Sequence, residues 1–365
     1  MPLPYLDDFR QGRHVRALLE QLAEHAATLE RPALIMEVCG THTMAISRHG
    51  IRQAIPESLA LISGPGCPVC VTANADIDAF IEMALLPNVI ATTFGDMLRV
   101  PGTRMGLAQA RGQGARVRIV YSTLDALKLA RENPDATVIF FGIGFETTAP
   151  TVAAALVEAQ ESNIDNFMVL SAHKVVPPAL AALCATPGLA VDAFLCPGHV
   201  TAIIGPEAYR PVVDDFGIPC VIAGFEPADI LQSLTMLVDQ IAAGRSEVEL
   251  QYSRGVRPEG NPTAMAMIDR VFEPRDAEWR GLGVIPGSGL AIRGEFAAHD
   301  AARRFPVDVG YSREPAGCLC GAILTGLKKP RDCPLFGKGC TPEHPIGPCM
   351  VSSEGTCAAY FQYEI

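Results

Sequence analysis

The residues in this chain best able to carry out redox or metal chemistry are its twelve cysteines and eight histidines. Gly64-Pro65-Gly66-Cys67-Pro68-Val69-Cys70 sets two thiols at C-x-x-C spacing, which can close a disulfide or grip one metal. The glycines and prolines make a tight, rigid turn, and the helix-like stretch 73–86 that follows favours thiolates near its N-terminus. Half of a structural zinc site is the plainer alternative. Cys39-Gly40-Thr41-His42-Thr43 places a thiol and an imidazole on one loop, where they can bind a transition metal or where the histidine can activate the thiol. Cys39, His42, Cys67 and Cys70 together can form a soft sulfur–nitrogen metal site with an exchangeable position.

A third group is Cys318, Cys320, Cys333, Cys340, Cys349 and Cys357, separated by one, twelve, six, eight and seven residues. The paired knuckles of zinc ribbons are missing. Widely spaced thiolates suit a cubane iron–sulfur cluster, and six are two more than one cluster needs. A redox-active pair beside the cluster is the natural remainder. Cys184, Cys196 and Cys220 lie in apolar surroundings and read as small core residues. Asp96, Glu146 and His199 are candidate acids, bases or ligand-orienting groups, or simply strand-end residues that cap the next helix. Thr147, Thr148 and Ser171 read as caps or turn residues, and Trp279 carries no functional signal.

Positioning these residues requires a regular frame. Val15, Leu18, Leu19, Leu22, Ala26 and Leu29 recur at helical spacing and predict an amphipathic helix over 8–30, ended by Pro32. From there to about residue 243, apolar runs alternate with helix-like segments, the pattern of a parallel α/β sheet. Candidate strands are Ala33–Val38, Leu59–Ser63, Val89–Thr93, Val117–Tyr121, Thr137–Gly142, Phe167–Ser171, Ala193–Cys196 and Pro219–Ala223. The reactive residues follow the strands directly, where open α/β sheets bind ligands. A shift of 104 residues lays Cys39–Thr43 over Ile143–Thr147 and Asp125 over Asp229; a shift of 103 lays Asp96 over His199. The reading is an α/β protein of two similar parallel-sheet lobes related by duplication, 32–134 and 135–244. Residues 245–365, richer in Gly, Pro and Arg, form a third, iron–sulfur domain, and the helix within 1–31 packs on it.

The chain of 365 residues is 49% apolar and 19% charged, with mean hydropathy +0.22, so it can bury a large core. A formal charge of −11 and a pI near 5.2 argue against nucleic acid as a partner. No apolar run is long enough to span a bilayer. The first residues lack the basic-then-apolar order of an export signal. The expected compartment is the reducing cytoplasm, where clustered cysteines read as metal or redox chemistry.

Six motifs in order carry a resemblance: Cys-Gly-Thr-His-Thr, Gly-Pro-Gly-Cys-Pro-Val-Cys, Thr-Thr-Phe-Gly-Asp-Met, Gly-Phe-Glu-Thr-Thr, Pro-Gly-His-Val and the terminal Cys-Met-Val-Ser-Ser-Glu-Gly-Thr-Cys-Ala-Ala-Tyr. Over about residues 8–363 the chain resembles the HypD family of hydrogenase maturation factors. The resemblance implies two related α/β lobes, a third domain with a [4Fe-4S] cluster, and service as a scaffold for the Fe(CN)2CO group of [NiFe] hydrogenases. It implies partnership with a HypC-type small chaperone and a HypE-type cyanide donor, as a monomer that forms a heterodimer. By it Cys39, Cys67 and Cys70 match the thiols of the iron-assembly cleft, with His42 beside them. Cys318, Cys333, Cys340 and Cys357 match the cluster ligands, Cys320 and Cys349 the exchangeable pair, and Glu354 the acidic residue of that motif. His42, Asp96, Glu146 and His199 would line the cleft. Two other classes stay open: an iron–sulfur protein-disulfide oxidoreductase using Cys67 and Cys70, and a zinc-stabilised binding module.

Overall fold

The computed structural model describes residues 12–364. Its strands are β1 (Ala33–Glu37), β2 (Leu59–Ser63), β3 (Val89–Thr93), β4 (Arg116–Ile119), β5 (Thr137–Gly142), β6 (Phe167–Ser171), β7 (Ala193–Pro197), β8 (Cys220–Ala223), β9 (Val248–Leu250), β10 (Phe272–Trp279) and β11 (Gly283–Ile292). They make a five-stranded sheet in the order β2-β1-β7-β8-β9, a four-stranded sheet β4-β3-β5-β6, and the hairpin β10-β11. Both larger sheets are parallel throughout, with Ala33 opposite Leu59 and Ile35 opposite Ala193 in the first, and Val89 opposite Thr137 in the second. Strands such as Val-Ile-Ala-Thr-Thr of β3 are buried at every position, because helices or a second sheet cover both faces.

All eight expected parallel strands are present, but the division into lobes is corrected. A boundary between residues 134 and 135 would cut the β3–β5 pair. The first lobe is instead built from 33–63 together with 193–250, and the second from 89–171. The repeat survives in this exchange. Shifting β1, β2, β3 and β4 by one repeat gives β5, β6, β7 and β8. That shift turns β2-β1-β7-β8 into β6-β5-β3-β4, the second sheet read from its other edge. Each lobe therefore takes two strands from each half of the repeat.

Alternation along the strands separates three cores. Ile35, Leu195 and Val221 of the first sheet face outward under the helix Pro227–Ala242. Val138, Phe140 and Val169 of the second face the helix Ala149–Glu161. Met36, Phe194 and Ile222 meet Ile139, Phe141 and Met168 in the core that joins the sheets. The N-terminal helix spans Gly12–Ala26; the expected residues 8–11 lie outside the described residues. It packs on the helix Pro227–Ala242, not on the C-terminal region, since its stripe of Leu18 and Leu22 matches Leu234, Leu237 and Val238 there.

Among the described residues, 245–364 build no separate core. β9 extends the first sheet, and Ile268, Val271, Phe272 and Leu290 join the outer core of the second lobe. The cysteine-bearing tail packs into the core between the sheets. Among the described residues, no helix is long and apolar enough to cross a membrane.

Candidate thiol and metal site

Because β2, β1, β7 and β8 are neighbours, the loops at their carboxyl ends line up along one sheet edge, carrying Cys67/Cys70, Cys39/His42, His199 and Phe225 in turn. Cys39 Sγ lies 3.8 Å from His199 Nδ1. Cys39 is buried, which pushes its thiol up to about 12, and the nearby Glu354 and Glu37 act in the same direction. Burial lowers His199 to about 4 and His42 to about 4, so both rings are neutral near pH 7. His42 Nε2 donates to the Gly224 carbonyl at 2.8 Å, and its buried Nδ1 has no partner. The Phe225 ring lies against both histidines, at centroid distances of 4.8 and 5.3 Å. Behind it stand Tyr252, at 5.9 Å, and Arg254, which packs over Tyr252 and pairs with both oxygens of buried Asp229 at 2.6 Å.

Cys67 caps the short helix Pro68–Val71 and is joined to Cys70 by a disulfide, with Cα atoms 5.2 Å apart. In this form neither sulfur is a thiolate, so Cys39 alone among the three expected cleft ligands is a free thiol. The two loops touch: Gly40 N–H donates to the Gly66 carbonyl at 2.9 Å. The C-terminal motif closes on the same place. Thr41 Oγ1 donates to Glu354 Oε1 at 2.7 Å, and Cys70 Sγ sits 3.9 Å from the carbonyl of Pro348, the residue before Cys349. Buried Arg280 holds the segment that follows the disulfide by donating to the carbonyls of Cys70 and Thr72 at 3.1 and 3.0 Å and to Asn74.

All six C-terminal cysteines line one small pocket of about 10 Å³, walled otherwise by apolar residues such as Ile323, Leu335 and Phe336. Cys320 accepts hydrogen bonds from the thiols of Cys318 and Cys349 and lies near Arg280, which draws its pKa well down; the donors Cys318 and Cys349 are driven up. Cys349 also contacts Cys357. Cys340 Sγ accepts from Ile346 N–H at 3.3 Å, and Cys333 Sγ lies 4.0 Å from the Gly317 carbonyl. The thiols thus bond to one another and to backbone. Among the described residues, no three His, Cys, Asp or Glu side chains stand spread for a metal ion.

This arrangement has close relatives. Residues 13–364 match the HypD family model, described as "Hydrogenase formation hypA family". The chain is 49% identical over 368 residues to the hydrogenase maturation factor HypD of Azotobacter vinelandii, covering 99% of this chain and 97% of that protein. It is 48% identical over 370 residues to that of Rhodobacter capsulatus, covering 99% and 98%, and 48% identical over 365 residues to that of Escherichia coli K12, covering 98% of each. The chain belongs to the HypD family.

Within this HypD-family chain the other expected site residues separate. His199 shares the sheet of Cys39 and does not face it from the opposite lobe. Asp96 and Glu146 follow β3 and β5 of the second sheet, and among the described residues no hydrogen bond or ion pair links either to the Cys39 cluster. Asp96 sits half-buried in the turn Gly95–Arg99, whose Arg99 reaches instead to the carbonyls of Pro342 and Val351. Glu146 is fully buried, accepts from Val176 N–H at 2.9 Å, and leaves Oε2 without a partner; burial raises it to about 7. Sequence reasoning passed over three residues that matter. Glu37 ends β1 inside an apolar run, accepts from Thr43 Oγ1 at 2.8 Å and is raised to about 7 by burial. A lone acid in a buried strand was the available signal. Phe225 and Arg280 gave none, since either reads as an ordinary core or surface residue.

Proposed function

We propose that this chain is a hydrogenase maturation factor that holds iron at Cys39 while the Fe(CN)2CO group is assembled, with reducing support from the C-terminal cysteines. The observation that carries the reading is contiguity: Cys39, the Cys67–Cys70 disulfide and the six-cysteine pocket adjoin through the Gly40–Gly66 and Cys70–Pro348 contacts.

The iron is cargo. A buried thiol raised to about 12 gives up its proton only as a metal arrives, and neutral His199 Nδ1 at 3.8 Å is placed to take it. Soft thiolate ligation suits an iron that will carry cyanide and carbon monoxide. The shallow reach of one thiol leaves positions for a HypC-type chaperone's sulfur and for ligands delivered by a HypE-type donor. Phe225, backed by Tyr252 and Arg254, fixes the ring of His199 against this edge.

Six sulfur donors converging on one apolar pocket are the donor chemistry that a [4Fe-4S] cluster takes; Cys318, Cys333, Cys340 and Cys357 would hold it, and it would supply electrons one at a time. Cys320 and Cys349 then form the exchangeable pair. Exchange between that dithiol and the Cys67–Cys70 disulfide leaves two thiols beside Cys39 and a Cys320–Cys349 disulfide, with two electrons and two protons conserved. Thiolate character at Cys320 suits it to begin the attack. A reducing compartment such as the cytoplasm matches this chemistry.

The rival oxidoreductase differs in what it predicts: turnover of a protein disulfide substrate through Cys67 and Cys70, with no tightly bound extra iron. Iron, sulfide and zinc analysis with an absorption spectrum, on protein purified without air, tests the proposal. It expects about four iron and four sulfide per chain with a brown chromophore. A colourless protein with stoichiometric zinc would show a binding module instead.

A further inference from the structure

The segment Ser171-Ala172-His173-Lys174 at the end of β6 takes no part in the thiol site. Ser171 Oγ donates to the Leu290 carbonyl at 2.8 Å, so the 3.1 Å contact with His173 must be donated by Nδ1–H. His173 Nε2 is then a buried lone pair with no partner. Lys174 is 1% exposed, with Nζ 3.2 Å from Asp76. Arg275, on β10, donates from Nη2 to the Ser171 carbonyl at 2.9 Å while its Nε is buried and unpartnered.

Of these, Ser171 and Arg275 border a groove of about 370 Å³ lined also by Asp76 and Asp300, with apolar walls that include Leu290 and Phe305. Its size falls in the range of small-molecule sites. The charge count is uneven. Asp76 is matched by Lys174; Asp300 is matched by Arg303 at 3.1 Å and also accepts from Ala302 N–H at 3.0 Å. Among the described residues no carboxylate pairs with Arg275, so one positive charge at the groove is uncompensated. A guanidinium beside apolar walls selects a carboxylate with a hydrocarbon body.

We propose that this groove binds a small organic monoanion, its carboxylate paired with Arg275 and its short apolar body laid against Leu290 and Phe305. Calorimetric titration of the full chain with sodium hexanoate tests this, with hexylammonium chloride as the same tail on a cation and ionic strength held constant. Saturable binding of hexanoate, none of hexylammonium, and a loss of about ten-fold or more in Arg275→Gln are expected. Arg275→Gln also removes the bond to Ser171, so Ala79→Leu serves as a second variant. Ala79 lines the groove from the helix Asn74–Ala84, and the larger side chain fills the space with Arg275 intact. It should abolish binding too. Absence of hexanoate binding, equal binding of the two tails, or full binding by both variants would overturn the proposal.

Discussion

Gly66→Ala should be among the most damaging single-methyl additions in this chain. A β-carbon there would lie 2.2 Å from the Cys39 nitrogen, 2.4 Å from its Cα and 2.5 Å from the Val38 carbonyl carbon. All three are backbone, so no flexible side chain can move aside. The loops bearing Cys39 and Cys67 must part, and the 2.9 Å bond from Gly40 N–H to the Gly66 carbonyl is lost with them. Overpacking costs about 1–3 kcal/mol and the bond about 1 kcal/mol, for a total of about 2–4 kcal/mol. Gly112→Ala is the control, since nothing lies within 4 Å of its added methyl at the end of the helix Leu107–Gly112. Urea titration should give a lower midpoint at unchanged slope for Gly66→Ala and a neutral or slightly raised one for Gly112→Ala. The Gly66 variant should also retain less iron. If it is as stable as its parent within about 0.5 kcal/mol, the close packing of the two thiol loops is refuted.

Three further outcomes follow from the buried groups. Glu146 keeps its proton in the folded state up to about pH 7, whereas the unfolded chain releases it near 4.5, so stability falls as pH rises through that window. Glu146→Gln removes that loss: between pH 4.5 and 8 the parent should lose about 3 kcal/mol more than the variant, measured by denaturant titration at each pH. Cys333→Ser should bleach the visible chromophore of anaerobically purified protein. Cys320→Ser should keep the chromophore but leave Cys67–Cys70 oxidised after treatment with a low-potential reductant, as counted by thiol labelling; loss of colour in Cys320→Ser would reverse the division of the six cysteines.

Most of the eight parallel strands were legible because they are buried on both faces and so read as apolar runs between turn residues; β4, Arg-Val-Arg-Ile at a sheet edge, has only Val117 buried. Which strands share a sheet was not legible. The β1–β7 pairing joins residues about 160 apart, and nothing local in either strand records its neighbour. The internal repeat did not decide it either, since two sheets each built from one half would obey the repeat as well as the observed exchange of strand pairs does. The hairpin β10–β11 escaped notice because Phe-Glu-Pro-Arg-Asp-Ala-Glu-Trp is largely polar, with Phe272, Ala277 and Trp279 buried among mostly exposed neighbours. At the site, Cys39, His42, Cys67, Cys70 and His199 were found from their place after strands, and the structure gathers them on one edge. Asp96 and Glu146 had the same signal and belong to the other sheet. Position after a strand marks a sheet's carboxyl edge without saying whose edge it is. Arg280 was invisible for a different reason: an arginine normally faces water, and only its three acceptors in 70–74 and its charge beside Cys320 reveal its place at the site.

Everything turns on Cys39 as the residue that grips iron. Infrared spectroscopy of Cys39→Ala, purified without air alongside its parent and a HypC-type partner, reads this directly. Loss of the cyanide and carbonyl stretching bands with the visible chromophore of the C-terminal cysteines intact is the predicted result. A variant that still shows those bands would contradict it.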